Sequence, residues 1–210
     1  MATLLKYAFT GSTLAPTTEV DGLSGSNVAN GSLSSFGAGN DGWGSDPVVS
    51  CNPPSSTTTA ALSVTKNSYF YITITPDSGK KINLSALTLN AGRGGSSTPR
   101  GIKIRSSKDS YAVDLYSADL GTAVPTWTAI NIDLSGASFQ GLTAAITFRF
   151  YIWAPTSSNA VDADDITFTG EVLGLSAIAG LNGIAGANVK TINGTLFGAT
   201  GNVKGWNGLA

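Results

Sequence analysis

Histidine is absent from this 210-residue chain, and cysteine occurs once, at Cys51. The first absence removes the imidazole that serves most general acid–base and nucleophilic mechanisms at neutral pH. The second excludes an intrachain disulfide and leaves a lone thiol with no imidazole to activate it. No nucleophile stands beside a base and no motif places a pair of carboxylates, so proton transfer would fall to Asp or Glu alone. The sequence therefore predicts a non-enzymatic protein. Charge is scarce as well: Asp, Glu, Lys and Arg make up 12% of the residues, with a net charge of −1, about half the usual charged share. Such a chain carries no electrostatic footprint for nucleic acid or an anionic membrane. No stretch approaches the roughly 18 consecutive apolar residues of a membrane span, and the opening Met1 to Thr10 has no basic region followed by a long apolar run. Synthesis in the cytosol without a signal peptide is the expectation.

Glycine, by contrast, is abundant, at 26 residues, and with the many Ser, Thr and Asn it suits short strands and polar turns. The length fits one domain plus an appendage, and a body of about 170 residues would bury roughly 70% of its unfolded surface. After an opening strand at Leu4 to Phe9, residues 10–58 are rich in Gly, Ser, Thr, Asn and Pro. A connection that long predicts one or two weak strands inside it, with one around Trp43 to Val49. From Ala60 onward, Ala60–Thr65, Tyr69–Thr75, Ile82–Asn90, Gly101–Arg105, Tyr111–Tyr116, Trp127–Asp133, Ala145–Trp153 and Ile166–Val172 read as strands, separated by turn signals such as Pro76-Asp77-Ser78-Gly79. The fold class predicted is all-β: an antiparallel two-sheet sandwich of jelly-roll type.

Period two assigns Phe70, Ile72, Ile74, Ile146, Phe148 and Phe150 to the core, completed by Leu87, Leu89, Ile130, Ile132, Ile166 and Phe168. Ile82 and Leu84 stand on the opposite parity from Leu87 and Leu89, which predicts a bulge near Ser85-Ala86. The opposite faces carry Tyr69, Tyr71, Arg149, Tyr151 and Trp153, unusually aromatic for solvent-facing positions.

The alternation stops after Val172, and the last residues carry a repeat. Asn188-Val189-Lys190-Thr191-Ile192-Asn193-Gly194 returns fourteen positions later as Asn202-Val203-Lys204-Gly205-Trp206-Asn207-Gly208, and Leu175 to Gly180 forms a degenerate earlier copy. A unit this short cannot bury its own apolar side chains, so it stacks on copies of itself or on another surface. Residues 1–173 are accordingly assigned to the sandwich and 174–210 to a Gly/Asn-rich tail for docking or oligomerisation. Short strands turning at Asn182-Gly183, Asn193-Gly194 and Asn207-Gly208 are expected there. Ile178, Val189, Ile192, Val203 and Trp206 are the expected assembly contacts, with Trp206 the largest anchor.

The phrases Tyr7-Ala8-Phe9-Thr10-Gly11-Ser12, Tyr69 to Pro76, Leu84 to Leu89, Ile104 to Asp109, Thr147-Phe148-Arg149-Phe150 and Asp164 to Gly170 resemble the jelly-roll domains of bacterial surface proteins. They are similar to the domains that precede the sorting tail in PEP-CTERM-type proteins, which themselves look like carbohydrate-binding sandwiches. The tail resembles C-terminal tails of tailed-bacteriophage structural proteins. Together these resemblances imply a virion protein made in the host cytoplasm. The leading expectation is a capsid decoration or cement protein, with the major capsid protein and other virion proteins as partners and homo-oligomers expected. The alternative is a tail or fibre component that binds host surface polysaccharide.

Two sites follow. Tyr69, Tyr71, Tyr151 and Trp153 form a candidate face for a glycan or a protein, because aromatic faces bury large areas at low entropic cost. Asp162, Asp164 and Asp165 could hold a structural calcium, as in many carbohydrate-binding sandwiches that the body resembles. A solvated acidic strand opening is favoured over it, since no second acidic cluster completes the six or more oxygens calcium takes. No other cofactor is implied. Arg93, Arg100, Lys103, Arg105 and Lys108 read as a solvated basic edge, and Ala91 to Gly95 as a hairpin loop.

Overall fold

The computed structural model describes residues 2–40, 47–93, 96–121, 127–174, 191–192 and 195–196. Short strands fill the first quarter: β1 (Ala2–Tyr7), β2 (Thr18–Glu19), β3 (Leu23–Gly25), β4 (Ala29–Asn30), β5 (Ser35–Asn40) and β6 (Pro47–Asn52). They are followed by α1 (Ala60–Thr65), β7 (Tyr69–Pro76), β8 (Lys80–Arg93), β9 (Gly101–Ser106), β10 (Tyr116–Asp119), β11 (Thr128–Asp133), β12 (Ile146–Trp153) and β13 (Val161–Gly174). Two further pieces, β14 (Thr191–Ile192) and β15 (Thr195–Leu196), lie beyond them. The chain divides into two units, Met1–Leu173 and Gly174–Ala210.

In the first unit two antiparallel sheets form a jelly-roll-like sandwich. One runs β11-β8-β13-β1-β2, with β6 also on β13 and β5 on β6. The other runs β10-β9-β12-β7-β3, with β4 also on β7. The alternation in β7 and β12 dictates this layering. Phe70, Ile72 and Ile74 face inward from β7, and Ile146, Phe148, Phe150 and Ile152 from β12, all buried in one core. Phe70 and Phe150 are cross-strand partners whose rings stack at 4.6 Å and 1°. Phe148 reaches Phe168 of the facing sheet at 4.9 Å. Burial of each such side chain is worth about 1.5–3 kcal/mol.

Two irregularities let long strands serve this core along their whole length. In β8, Ile82 and Leu84 are buried, and so are Leu87, Leu89 and Ala91. The buried face switches at Ser85-Ala86, where two successive side chains are half-buried, as the opposed parities predict. In β13 the switch falls at Asp165, which adopts a left-handed φ of 50°. Before it, Val161 and Ala163 pair with Cys51 and Val49 of β6; after it, residues 166–170 pair with β1.

Three expectations change. The described part of residues 10–58 holds five short strands rather than one or two, because Gly and Ser at alternate positions, as in Ser35-Phe36-Gly37-Ala38-Gly39, conceal the period. Trp43 lies outside the described residues. Ala60–Thr65 is a helix, not a strand: the Thr59 hydroxyl caps it by accepting from the Leu62 N–H at 3.2 Å, and Ala60, Ala61 and Leu62 favour the helical turn. The strand expected over Tyr111–Tyr116 begins only at Tyr116, since Ser110 and Tyr111 both take left-handed φ values, 57° and 63°.

In the second unit, β14 and β15 pair antiparallel, Thr191 with Leu196 and Ile192 with Thr195. All three expected turns, at 182–183, 193–194 and 207–208, and the expected contacts Ile178, Val189, Val203 and Trp206 lie outside the described residues. Ile192 sits in β14.

Candidate functional site

The register of the second sheet builds its outer face row by row. Tyr151 pairs with Lys103 of β9 on one side and Tyr69 of β7 on the other, and Arg149 pairs with Arg105 and Tyr71. The strands that bury Phe70 and Phe150 thus present three tyrosines and Arg149 on their reverse side, and β9 adds Lys103 and Arg105. Tyr69 touches Tyr151 edge-on at 5.1 Å and Tyr71 at 6.2 Å. The turn after β4 lies directly against Tyr69: Gly31 donates to the Tyr69 carbonyl at 2.9 Å, and any side chain at Gly31 would strike the ring.

A fourth tyrosine, missed from the sequence, completes the face. The loop between β9 and β10 turns through the left-handed Ser110-Tyr111 pair, a conformation costing about 1–2 kcal/mol per residue outside glycine. Its anchors offset that cost. Asp109 accepts from the backbone N–H groups of Ala112 at 3.2 Å and Val113 at 2.8 Å, and the Tyr111 carbonyl accepts from Arg105 at 2.8 Å. The Tyr111 ring is thereby laid over Arg149, with the guanidinium carbon 3.7 Å from its centroid and 4.5 Å from that of Tyr69. Strained left-handed residues held this firmly are a mark of preorganised sites.

The charges are arranged unevenly. Lys103 and Arg105 both pair with Asp114, at 2.7 and 2.5 Å. Burial pushes the Asp114 carboxyl upward, but hydrogen bonds from Lys103 and Arg105 outweigh it and hold the group below the ordinary carboxylate range. Burial works against the Arg149 charge, whereas the Tyr151 hydroxyl and the three surrounding tyrosines favour it, and the net effect raises its pKa.

Of the four aromatic residues expected on this face, Tyr69 and Tyr71 are half-buried and keep a solvent-facing surface. Tyr151 and Trp153 are each only 2% exposed. Trp153 lies flat across Gly101, where no side chain could fit, and donates from Nε1 to Asp119 at 2.9 Å. α1 packs against β12 and β9, and its first residues border Trp153. The aromatic surface open to solvent is therefore Tyr69, Tyr71 and Tyr111, with Tyr151 beneath.

The basic edge is corrected by burial. Arg93, Arg100 and Lys103 are 3%, 2% and 8% exposed, and the two arginines are spent on main-chain carbonyls. Arg93 donates to Gly121, Ser96 and Ser97, and Arg100 to Ser97 and Ala160. Burial, and then the neighbouring Arg93 charge, lower the Arg100 pKa against the opposing pull of Asp162. Of the acidic trio, Asp162 is buried, Asp164 is half-buried and Asp165 pairs with Lys6 at 2.7 Å. Among the described residues no group of three or more Asp, Glu, Cys or His converges on a metal position. Cys51 is fully buried, and burial followed by the Asp162 charge pushes its thiol far up, away from the nucleophilic form.

The sequence matches no family model and no curated protein. Several solved structures are similar in fold. The TmCBM61 structure in complex with β-1,4-galactotriose aligns over 78% of this chain and 94% of its own, with a TM-score of 0.43 and 10% identity. The CBM22-1 xylan-binding domain of Xyn10C from Paenibacillus barcinonensis aligns over 80% and 94%, with a TM-score of 0.43 and 10% identity. Arabinose-bound MgGH51 α-L-arabinofuranosidase aligns over 80% of this chain, which spans 26% of that enzyme, with a TM-score of 0.48 and 15% identity.

Proposed function

We propose that the sandwich is a non-catalytic glycan-binding module whose site is the outer face of the second sheet. The observation that carries this reading is the preformed group of Tyr69, Tyr71 and Tyr111 around Arg149. Tyrosine rings offer flat apolar faces to the carbon side of a sugar ring, hydroxyls to its polar rim, and only two torsions to immobilise. The strained loop under Tyr111 has met its ordering cost before any ligand arrives. The test is binding of the full chain to a polysaccharide panel by affinity electrophoresis, with Tyr71→Ala and Tyr111→Ala as variants. Each truncation is expected to cost about 1–2 kcal/mol, roughly 5- to 30-fold in affinity, with melting temperature little changed. Unaltered binding by folded variants would refute the assignment of this face.

A second reading concerns the 174–210 unit, and the fourteen-residue repeat supports it. In this reading the tail attaches the sandwich to a larger particle, a phage virion, as a capsid decoration protein among major capsid subunits or as a tail component that engages host polysaccharide. Quantitative mass spectrometry of purified particles separates the two. Hundreds of copies per particle support decoration, a handful support the tail, and absence removes both.

A further inference from the structure

We infer that the glycan this face takes is acidic, its carboxylate received by Arg149; the inference rests on the glycan-binding reading above. Lys103 and Arg105 already share Asp114. Arg149 makes no ion pair among the described residues, and its side chain donates there only a long hydrogen bond of 3.4 Å, from Nη1 to the Tyr151 hydroxyl. Its guanidinium carbon lies over two ring faces, Tyr69 at 4.5 Å and Tyr111 at 3.7 Å. A ring face is no substitute for a carboxylate acceptor, so the N–H donors keep most of their capacity while the two rings restrict the side chain.

That combination is what recognises a carboxylate through two parallel N–H···O bonds, and fixing the fork beforehand reduces the entropy lost on binding. The local charge agrees. Lys103, Arg105 and Arg149 stand against Asp114 and, beside Trp153, Asp119, an excess of one positive charge, and Lys108 and Asp109 of the bordering loop cancel each other. A chain with net charge −1 has concentrated cations on the face where the tyrosines stand. Arg149 and Tyr71 are direct cross-strand partners, a spacing of about 5 Å between Cβ atoms. A uronic acid ring stacked on Tyr71 would carry its ring carboxylate to the side, toward that guanidinium. A neutral sugar would leave it unanswered.

The test uses the full chain in calorimetric titrations with four probes: oligogalacturonate, its methyl ester, dextran sulfate and unsubstituted dextran. The acid is expected to bind at least about tenfold more tightly than its ester. The preference is expected to disappear in Arg149→Gln and to weaken in Arg149→Lys, which keeps the charge but loses the planar fork. Preference for dextran sulfate over dextran would support the same anionic recognition with sulfate as the group. Equal binding of acid and ester, or an acid preference that survives Arg149→Gln, would overturn the inference while leaving glycan binding intact. Binding to none of the four would overturn this inference, and failure across the wider polysaccharide panel would overturn the underlying reading. The acid–ester comparison needs only the unaltered protein, so it decides the matter even if a variant fails to fold.

Discussion

Trp153→Ala separates a platform role from a packing role for this residue. Its parity places the indole on the outer face with Tyr69 and Tyr71, yet it is 2% exposed, laid over Gly101 and hydrogen-bonded to Asp119. Truncating a buried Trp costs about 3–5 kcal/mol in lost transfer energy and cavity. The bond to Asp119 adds little, because that carboxylate is exposed and can rehydrate. For a domain of this size each kcal/mol corresponds to about 2–4 °C, so the melting temperature should fall by roughly 6–20 °C in a thermal scan followed by circular dichroism. Gly101→Ala provides the complementary perturbation: the added methyl meets the indole and should cost about 1–3 kcal/mol. Combined with Trp153→Ala it should cost less, since only the Ala118 carbonyl then stands against the methyl, giving a favourable coupling of about 1–2 kcal/mol in the double-mutant cycle. A fall of less than about 3 °C for Trp153→Ala, or strict additivity in the cycle, would refute the packing role.

Other consequences are equally measurable. Asp114→Asn should lower stability at pH 7 by about 1 kcal/mol, since the pairs are partly solvated. The folded carboxyl titrates below the ordinary range, so its stabilisation is present above about pH 4 and lost as pH falls through the depressed value. Melting curves of the two proteins should therefore converge toward pH 2, and a constant gap would contradict the pairing. Thr59→Ala removes the cap of α1 and should cost about 1 kcal/mol by denaturant titration, with no effect expected if the helix is held by packing alone. Cys51 should resist a thiol reagent such as Ellman's in the native protein and react within seconds once unfolded; rapid native labelling would show that β6 opens readily.

The sequence made the layered core legible because β7 alternates from Tyr69 to Ile74 and β12 from Ile146 to Phe150, and because the clashing parities within β8 left a bulge as the economical solution. Other features depend on contacts that periodicity does not encode. Ala60–Thr65 contains Val64 and Thr65, which suit a strand; the Thr59 cap and the neighbouring sheet decide for a helix. Tyr111 reads as an ordinary strand residue, since neither Ser110 nor Tyr111 is a type that announces a left-handed turn. Parity told which way Trp153 points but not that α1 and β10 would border it, so a residue expected to meet ligand is instead packed beneath them. Arg93 and Arg100 look solvated in a stretch rich in Ser and Gly, yet main-chain carbonyls of that same stretch take them in.

The pairing of β1 with β13 joins the opening residues of the sandwich to its final strand, Ala2 opposite Gly170. β13 also stands between β8 and β1 at the middle of its sheet. Contacts so distant along the chain place the fold among slow, high-contact-order topologies, with formation in milliseconds to seconds. During synthesis the sheet cannot close until the last strand is available. Until then β8 and β1 present open edges, so the nascent protein passes through a window in which pairing with another copy competes with its own completion.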